Sequence, residues 1–360
     1  MDSQKQQFNM KTIFKNLDRQ QIEQTVSNLS TPVLIGGIIV ILALPIITAS
    51  NRYFTLVFSL IGLYIIAVTG LDIVFGYSGQ VSFGHAAFYG IGAYSIAILS
   101  GIHGWSFWPS LVVAILVSAV LAAIIAWPSV KLVHHFLALV TIGVGEIARL
   151  TFLNAASITR GFRGIGEIPR PTFFGFDLSD PIVYLYLILV LAGISLWIKH
   201  NIATSWWGRK FHAIRTNPLA AETFGTPLIN TRTIAFVVGG IYAAVAGALY
   251  ASLITYVSPD TFTFTQSTLF FTMVLIGGTG TMWGPIVGVI ILTFINQYGQ
   301  QFEIYQGIFY GLMIIAIVIF LPRGFVGSIE DFYRDHIKAP ARRAGRGVSI
   351  IEEEHIESES

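Results

Sequence analysis

The chain has 360 residues, 54% of them hydrophobic and 11% charged, with a formal net charge of +2. Soluble domains carry roughly a quarter charged residues, so this composition excludes an ordinary soluble fold and marks an integral membrane protein. There is no cysteine, which excludes disulfides, thiol catalysis and thiolate metal sites.

The first stretch, 1–32, is polar and lacks an apolar core near Met1, so it reads as a cytoplasmic segment rather than a cleaved signal peptide. Apolar runs follow at 33–49, 53–75, 81–100, 107–127, 132–153 and 181–199. After a polar break at 200–233 come 234–257, 267–297 and 302–321. A spanning helix needs roughly 17–25 residues, so 267–297 is long for one helix. It is interrupted by Gly277, Gly278, Thr279 and Gly280 and then Pro285.

Basic residues orient such a chain. They cluster at Lys5, Lys11, Lys15 and Arg19, at Arg209, Lys210, Arg215 and Arg232, and from Arg323 to Arg346. All three clusters read as cytoplasmic, which requires an even number of crossings between them. Six crossings precede the break. Four follow it only if 267–297 divides into two short, tilted helices, and that parity disfavours a re-entrant segment there. The expected fold is therefore an all-α, multi-pass helical bundle of about ten transmembrane helices over 33–330. The tail 331–360, with its late run of glutamates, reads as a disordered cytoplasmic segment. The loop 154–180 then faces outward although it carries Arg160, Arg163 and Arg170, a mild violation of the charge rule.

Polar residues inside the apolar runs are the candidates for function. Residues 76–94, GYSGQVSFGHAAFYGIGAY, hold five glycines together with Gln80, Ser82 and His85. Glycine and serine rows serve close helix packing, but an amide and an imidazole exceed that need. Gln80, Ser82 and His85 are therefore candidates for a polar translocation route. Glu146 and Arg149 share a helix face, either as a structural ion pair or as a polar wall of that route. The break Gly277–Gly280 is a candidate gate. Asp72 reads as an interfacial charge, and so do His134 and His135, with no third ligand near enough in sequence for a metal site. The rows Gly239, Ala243, Gly247, Ala251 and Gly240, Ala244, Ala248, Ser252 read as packing surfaces.

Within the polar break, Trp207, Phe211 and Ile214 form one stripe of an interfacial amphipathic helix. A second, short helix is punctuated by Asn217 as N-cap, Pro218 at the first helical position and Gly225 past the end. Two such turns are marginal in water but suit docking into a partner's groove. No phosphate-binding glycine loop and no common hydrolase motif occurs, so energy for uphill transport would come from another subunit. The interrupted helix at 277–285 leaves open a secondary transporter or channel.

Four blocks carry a family resemblance: 76–94, 138–166, 208–225, and 258–288 together with LPRGFVG at 321–327. In this order the chain resembles the LivM-type permeases of branched-chain amino acid ABC importers, within the wider LivH/LivM family. The resemblance implies a non-enzymatic permease with a type II-like importer fold in the cell membrane, both termini cytoplasmic. It implies a second LivH-like permease, two ATP-binding cassette subunits that bind the ATP, and an extracytoplasmic amino-acid-binding protein. This chain would hold no cofactor and no metal, and would engage the lipid bilayer but no nucleic acid. The short helix becomes the ATPase-coupling element, with Arg215, Pro218, Ala221, Glu222 and Gly225. Where the family commonly has Thr-Gly-Gly-Pro, this chain has Thr159, Arg160, Gly161 and Phe162, followed by Arg163. Arg160 and Arg163 are candidates for docking the binding protein. Similar permeases carry urea, short amides or other amino acids, so those cargoes stay open.

Overall fold

The computed structural model describes residues 43, 45, 51–129, 134–173, 176–299, 312, 315 and 324–333. The expected spans at 33–49 and 302–321 lie almost wholly outside the described residues, as does the tail after Tyr333. The chain forms two compact units, Met1–Thr55 and Leu56–Ser360, and the architecture that follows is that of the second.

Helix α1 (Arg52–Asp72) runs into a widened π-helical turn, Ile73–Tyr77. Residues 78–84 are irregular. Helix α2 (His85–Ile96) ends in a second π turn, Ala97–Ile102, and α3 (Phe107–Ser129) and α4 (His134–Asn154) follow. The loop between α4 and α5 holds strands β1 (Ile165–Gly166), β2 (Thr172–Phe173) and β3 (Phe176–Asp177). Then come α5 (Pro181–Thr204), α6 (Trp206–Thr216), α7 (Pro218–Thr223) and α8 (Leu228–Ile254). Strand β4 (Tyr256–Val257) leads to α9 (Phe264–Gly277), α10 (Gly284–Gly299) and α11 (Gly324–Tyr333). Among the described residues six helices are long and apolar enough to cross a membrane, and α10 holds a shorter apolar helix.

The run at 267–297 is divided as its glycines require. Gly278 and Gly280 have φ of 117° and 74°, values that side-chain-bearing residues rarely adopt. The helix stops there and resumes at Gly284. The expected run at 81–100 starts late, at His85, because 78–84 makes its hydrogen bonds to other elements instead of to a helix of its own.

Helices α1, α2 and α8 form the centre of the unit, with 72%, 67% and 67% of their most apolar windows buried. The small-residue rows of α8 make this possible. Without a side chain, Gly239 lets α8 approach Gly70 and Val74, while Gly240 faces Ala122 and Phe88. Gly247 lies against the Tyr89 backbone, and Gly92 of α2 lies against the Ala244 backbone. In a solvent as apolar as the side chains themselves, such close backbone approach supplies the dispersion that holds helices together. Hydroxyls lock the arrangement: Ser118 donates to the Gly240 carbonyl (2.9 Å), Tyr184 to Leu249 (2.8 Å) and Tyr242 to Ser195 (3.0 Å).

Helices α9 and α10 meet through the same device, Gly277 against Gly284 and Gly288 against the Met273 carbonyl. Gly324, at the start of α11, seats on Gly278. One end of the bundle thus gathers the glycine break, α11, the end of α5, and α6. The other end carries the antiparallel pair β1–β4, with Ile165 opposite Val257. Among the described residues helix α4 is the least buried span, only 11% buried in its apolar window.

Candidate functional site

Irregular backbone at membrane depth must be satisfied by protein or water. In 78–84 the protein does it. The Ser78 hydroxyl donates to the Val74 carbonyl (2.6 Å), and the Gln80 amide group donates to Ser78 Oγ (2.7 Å) and to the Arg232 carbonyl (3.1 Å). Phe83 N–H donates to Thr141 Oγ1 (3.0 Å), and Ser82 Oγ accepts from Gly84 N–H (3.4 Å). His85 Nε2 donates to the Ala67 carbonyl (2.9 Å) with its ring edge-on to Phe270, and Ala86 N–H donates to Ser267 Oγ (3.0 Å). Gln80, Ser82 and His85 are therefore buried inside the bundle; Gln80 binds the segment to α8 and His85 binds the start of α2 to α1, while the Phe83 and Ala86 amides reach α4 and α9. Gln80 Oε1 is buried without a partner among the described residues.

A few residues away lies a group the sequence reading does not assemble. Asp72 reads from sequence as an interfacial charge, but the structure buries it completely. Its carboxylate is paired with Lys199 at 2.7 Å, and both side chains are fully buried. Each partner also holds the helix break: Asp72 Oδ1 accepts from Gly280 N–H (2.7 Å) and Lys199 Nζ donates to the Thr281 carbonyl (2.8 Å). The Lys199 ammonium lies 5.7 Å from the centre of the Tyr77 ring. A cation near the end of a long apolar run looks in sequence like a side chain reaching for the interface, so nothing local signals this pair.

Arg215 joins the same group from the other side. It is an exposed residue at the last turn of α6, expected to belong to the coupling surface, yet its guanidinium turns inward and donates to the Gly76 carbonyl. Its stem passes Gly79, whose missing side chain leaves room: a Cβ there would stand 3.2 Å from the Arg215 Cγ. Gly76 itself has no space for a side chain, because Asp72 and the Gly280 N–H fill it.

Two residues after Arg215, Asn217 opens α7. Its side-chain oxygen accepts from Ala220 N–H (3.1 Å), Pro218 occupies the first turn, and Gly225 closes the end with φ of 81°. Thr226 N–H reaches back to the Ala221 carbonyl (2.9 Å). Ala221 is buried, whereas Glu222 is exposed and so are two large apolar residues, Leu219 at 78% and Phe224 at 90%. Nothing in the sequence sets Leu219 and Phe224 apart from the other residues of this short helix; their exposure is visible only in the structure. On α6, Lys210 sits over the rings of Trp206 (3.7 Å) and Trp207 (4.8 Å).

At the opposite end, Arg160 and Arg163 are exposed on either side of Phe162, itself 75% exposed. The loop is held firmly. Thr159 Oγ1 donates to the Phe152 carbonyl (2.6 Å) and Tyr256 OH to the Arg163 carbonyl (3.0 Å). Arg160, Glu167 and Thr255 adopt left-handed backbone, with φ near 60°. Glu146 and Arg149 pair on the open side of α4, Arg149 Nε lying 3.0 and 3.1 Å from the two carboxylate oxygens. Gly143 on that helix would meet no atom within 4 Å if it carried a Cβ. The described residues include no cluster of three potential metal ligands.

A bundle of long apolar helices with a broken helix pair, and with a capped, apolar-tipped helix projecting from one end, defines the class of multi-pass helical membrane proteins. Residues 53–318 match the family model described as the permease component of the branched-chain amino acid transport system. The chain is 32% identical over 287 residues to the "High-affinity branched-chain amino acid transport system permease protein LivM" of Salmonella typhimurium, covering 73% of this chain and 68% of that one. The LivM protein of Escherichia coli matches to the same extent. An archaeal relative from Methanocaldococcus jannaschii, "Probable branched-chain amino acid transport permease protein LivM", is 24% identical over 74% of this chain and 90% of its own length. No solved structure matches the chain significantly. The chain belongs to the branched-chain amino acid transport system permease family. It is a transport permease that works with partner subunits, and it is not an enzyme.

Proposed function

We propose that the chain carries branched-chain amino acids inward by alternating access, as one of two permeases in an ABC importer driven by two ATP-binding subunits. Family membership across 53–318 carries this reading. The ATP-binding subunits dock on α7, where Leu219 and Phe224 fill an apolar groove and Glu222 and the end of α6 set the polar rim. Both termini and α7 lie in the cytoplasm. The extracytoplasmic amino-acid-binding protein docks on the rigid outer loop, through Arg160 and Arg163 against its acidic residues with Phe162 between them.

The route follows the open face of α4. A carboxylate and a guanidinium are costly against lipid tails, even when paired. A face with Glu146, Arg149 and an unfilled space at Gly143 is better covered by a second permease, with a wet path between the two. Gln80 and His85 are assigned to tying the 78–84 segment and the start of α2 to α8 and α1, and Ser82 to bonding within that segment. The glycine break serves as the gate.

The test is reconstitution in liposomes. The chain alone should hydrolyse no ATP. With its partners, hydrolysis should rise when the external binding protein arrives loaded with a branched-chain amino acid. ATP hydrolysis by the chain alone, or uptake driven by an ion gradient without partners, would refute the reading. Calorimetry on the binding protein with leucine, urea and short amides decides the cargo.

A further inference from the structure

The Asp72–Lys199 pair asks for an explanation beyond stability. Two charges fully removed from water are a poor stabilising device, since apolar residues of similar volume often do as well. What the pair does is bracket one point in the chain. The carboxylate holds the N–H of Gly280 at 2.7 Å, and the ammonium holds the carbonyl of the next residue, Thr281, at 2.8 Å. The point bracketed is the turn between α9 and α10, where Gly278 and Gly280 allow backbone angles to change at little steric cost. Asp72 ends α1 at a π-helical turn, a local widening of the helix that recurs at functional sites.

The bracket also has a handle. Gly76, one turn after Asp72, is wedged between the Asp72 carboxylate and the Gly280 N–H, and its carbonyl is held by the Arg215 guanidinium. If Gly280 carried a Cβ, it would stand 2.9 Å from that guanidinium. Arg215 sits two residues before Asn217, the cap of α7, and the α6–α7 corner is bonded through Asn217 N–H to the Ala213 carbonyl (3.1 Å). A push on α7 therefore reaches the Gly76 carbonyl through one side chain and the helix break through one ion pair.

We propose that Arg215, Gly76 and the Asp72–Lys199 pair form a polar linkage that transmits displacement of α7 to the Gly278–Gly284 break. Arg215 and Lys199 are then positioning residues of the transport cycle. This inference rests on the reading of α7 as the docking helix for the ATP-binding subunits. It differs from a packing role in one respect: loss of the linkage separates ATP hydrolysis from transport rather than lowering both together.

The experiment uses the complete transporter in liposomes, with leucine-loaded binding protein. Two variants are made, Arg215→Gln and the neutral pair D72N/K199M. The second removes both buried charges together, so neither is left orphaned. In intact complexes of either variant, amino acid moved per ATP hydrolysed should fall about tenfold, the change expected from losing one charge-assisted hydrogen bond at a two-state element. Arg215→Lys, which keeps the charge and a donor, should recover part of the ratio. The chain has no native cysteine, so spin labels attached at Thr223→Cys and Trp283→Cys before it is assembled with its partners mark those two positions alone. The ATP-driven change in their separation should be lost in D72N/K199M. An unchanged transport-to-ATP ratio in Arg215→Gln, with ATP-binding subunits still attached, would overturn this proposal alone. Retention of those subunits by a Leu219→Asp/Phe224→Asp variant would overturn the docking assignment, and the linkage with it.

Discussion

Replacing Gly247 by alanine adds one methyl group where α8 crosses α2. That methyl would stand 2.7 Å from the Tyr89 carbonyl carbon, 3.1 Å from its Cα, and closer still to its oxygen. The obstacle is backbone inside a helix, so no rotamer change relieves it. The helices must part by about 1 Å, which forfeits a quarter to a half of the dispersion at each contact along the crossing. Together with overpacking strain, the expected cost is about 3 kcal/mol, an apparent melting drop of about 5–10 °C in detergent. Gly92→Ala should cost a similar amount, because its methyl would stand 2.6 Å from the Ala244 Cα and carbonyl carbon. The two sites share one crossing. Once the helices have parted for the first methyl, the second finds room, so the double variant should cost less than the sum. Gly143→Ala, with open space around it, is the control and should leave the melting point of the isolated chain unchanged or slightly higher. Thermal unfolding of the four purified variants checks the set. A Gly247→Ala protein that melts with the parent, or a double variant equal to the sum, would refute the close-crossing argument.

Four further outcomes are expected. Lys199→Met alone leaves Asp72 charged and unpaired in the interior and should destabilise by about 3–5 kcal/mol, with much of the loss recovered in D72N/K199M; chemical unfolding in detergent measures both. Glu222→Lys should weaken attachment of the ATP-binding subunits without preventing membrane insertion, and Phe224→Asp should weaken it more, as read by co-purification. Arg160→Glu/Arg163→Glu should weaken docking of the external binding protein, with a larger effect at low salt because both residues are exposed; surface plasmon resonance at two ionic strengths tests it. Glu146→Ala leaves Arg149 unpaired on the open face of α4 and should impair assembly with the second permease or uptake. Wild-type behaviour in both would place that face against something other than a partner or a route.

Local signals were legible in the sequence and tertiary ones were not. The ends of α7 are written in Asn217, Pro218 and Gly225, because caps and turns act over three or four residues. The division of 267–297 is written in Gly277, Gly278 and Gly280 for the same reason. The rows on α8 announced close packing because a helix repeats its faces every three or four positions, although they could not name the partner helices. Burial of charge depends on what arrives from elsewhere in the chain. Asp72 and Lys199 are far apart in sequence, and each alone resembles an ordinary residue at a membrane boundary. The polar residues at 78–85 were visible as unusual for lipid. Their direction was not, since a glutamine that lines a path and one that ties down a loop have the same sequence context. The π turns at Ile73–Tyr77 and Ala97–Ile102 carry no composition cue, because one extra residue in a turn changes neither periodicity nor polarity enough to be seen.

Helix α9 has 14 residues between described ends. At 1.5 Å per residue it is about 21 Å long, against a hydrocarbon core of about 30 Å. The turn that follows it therefore cannot stand in the headgroup layer on one side while α9 begins there on the other. Either the bilayer thins around α9, or the turn sits below the lipid surface and depends on Asp72 and Lys199 for the polar company that water supplies elsewhere. In both cases the barrier between the two aqueous phases is thin beside this helix. Acyl-chain length in the surrounding membrane then becomes a physical variable of the transporter, setting how far the break lies from bulk water.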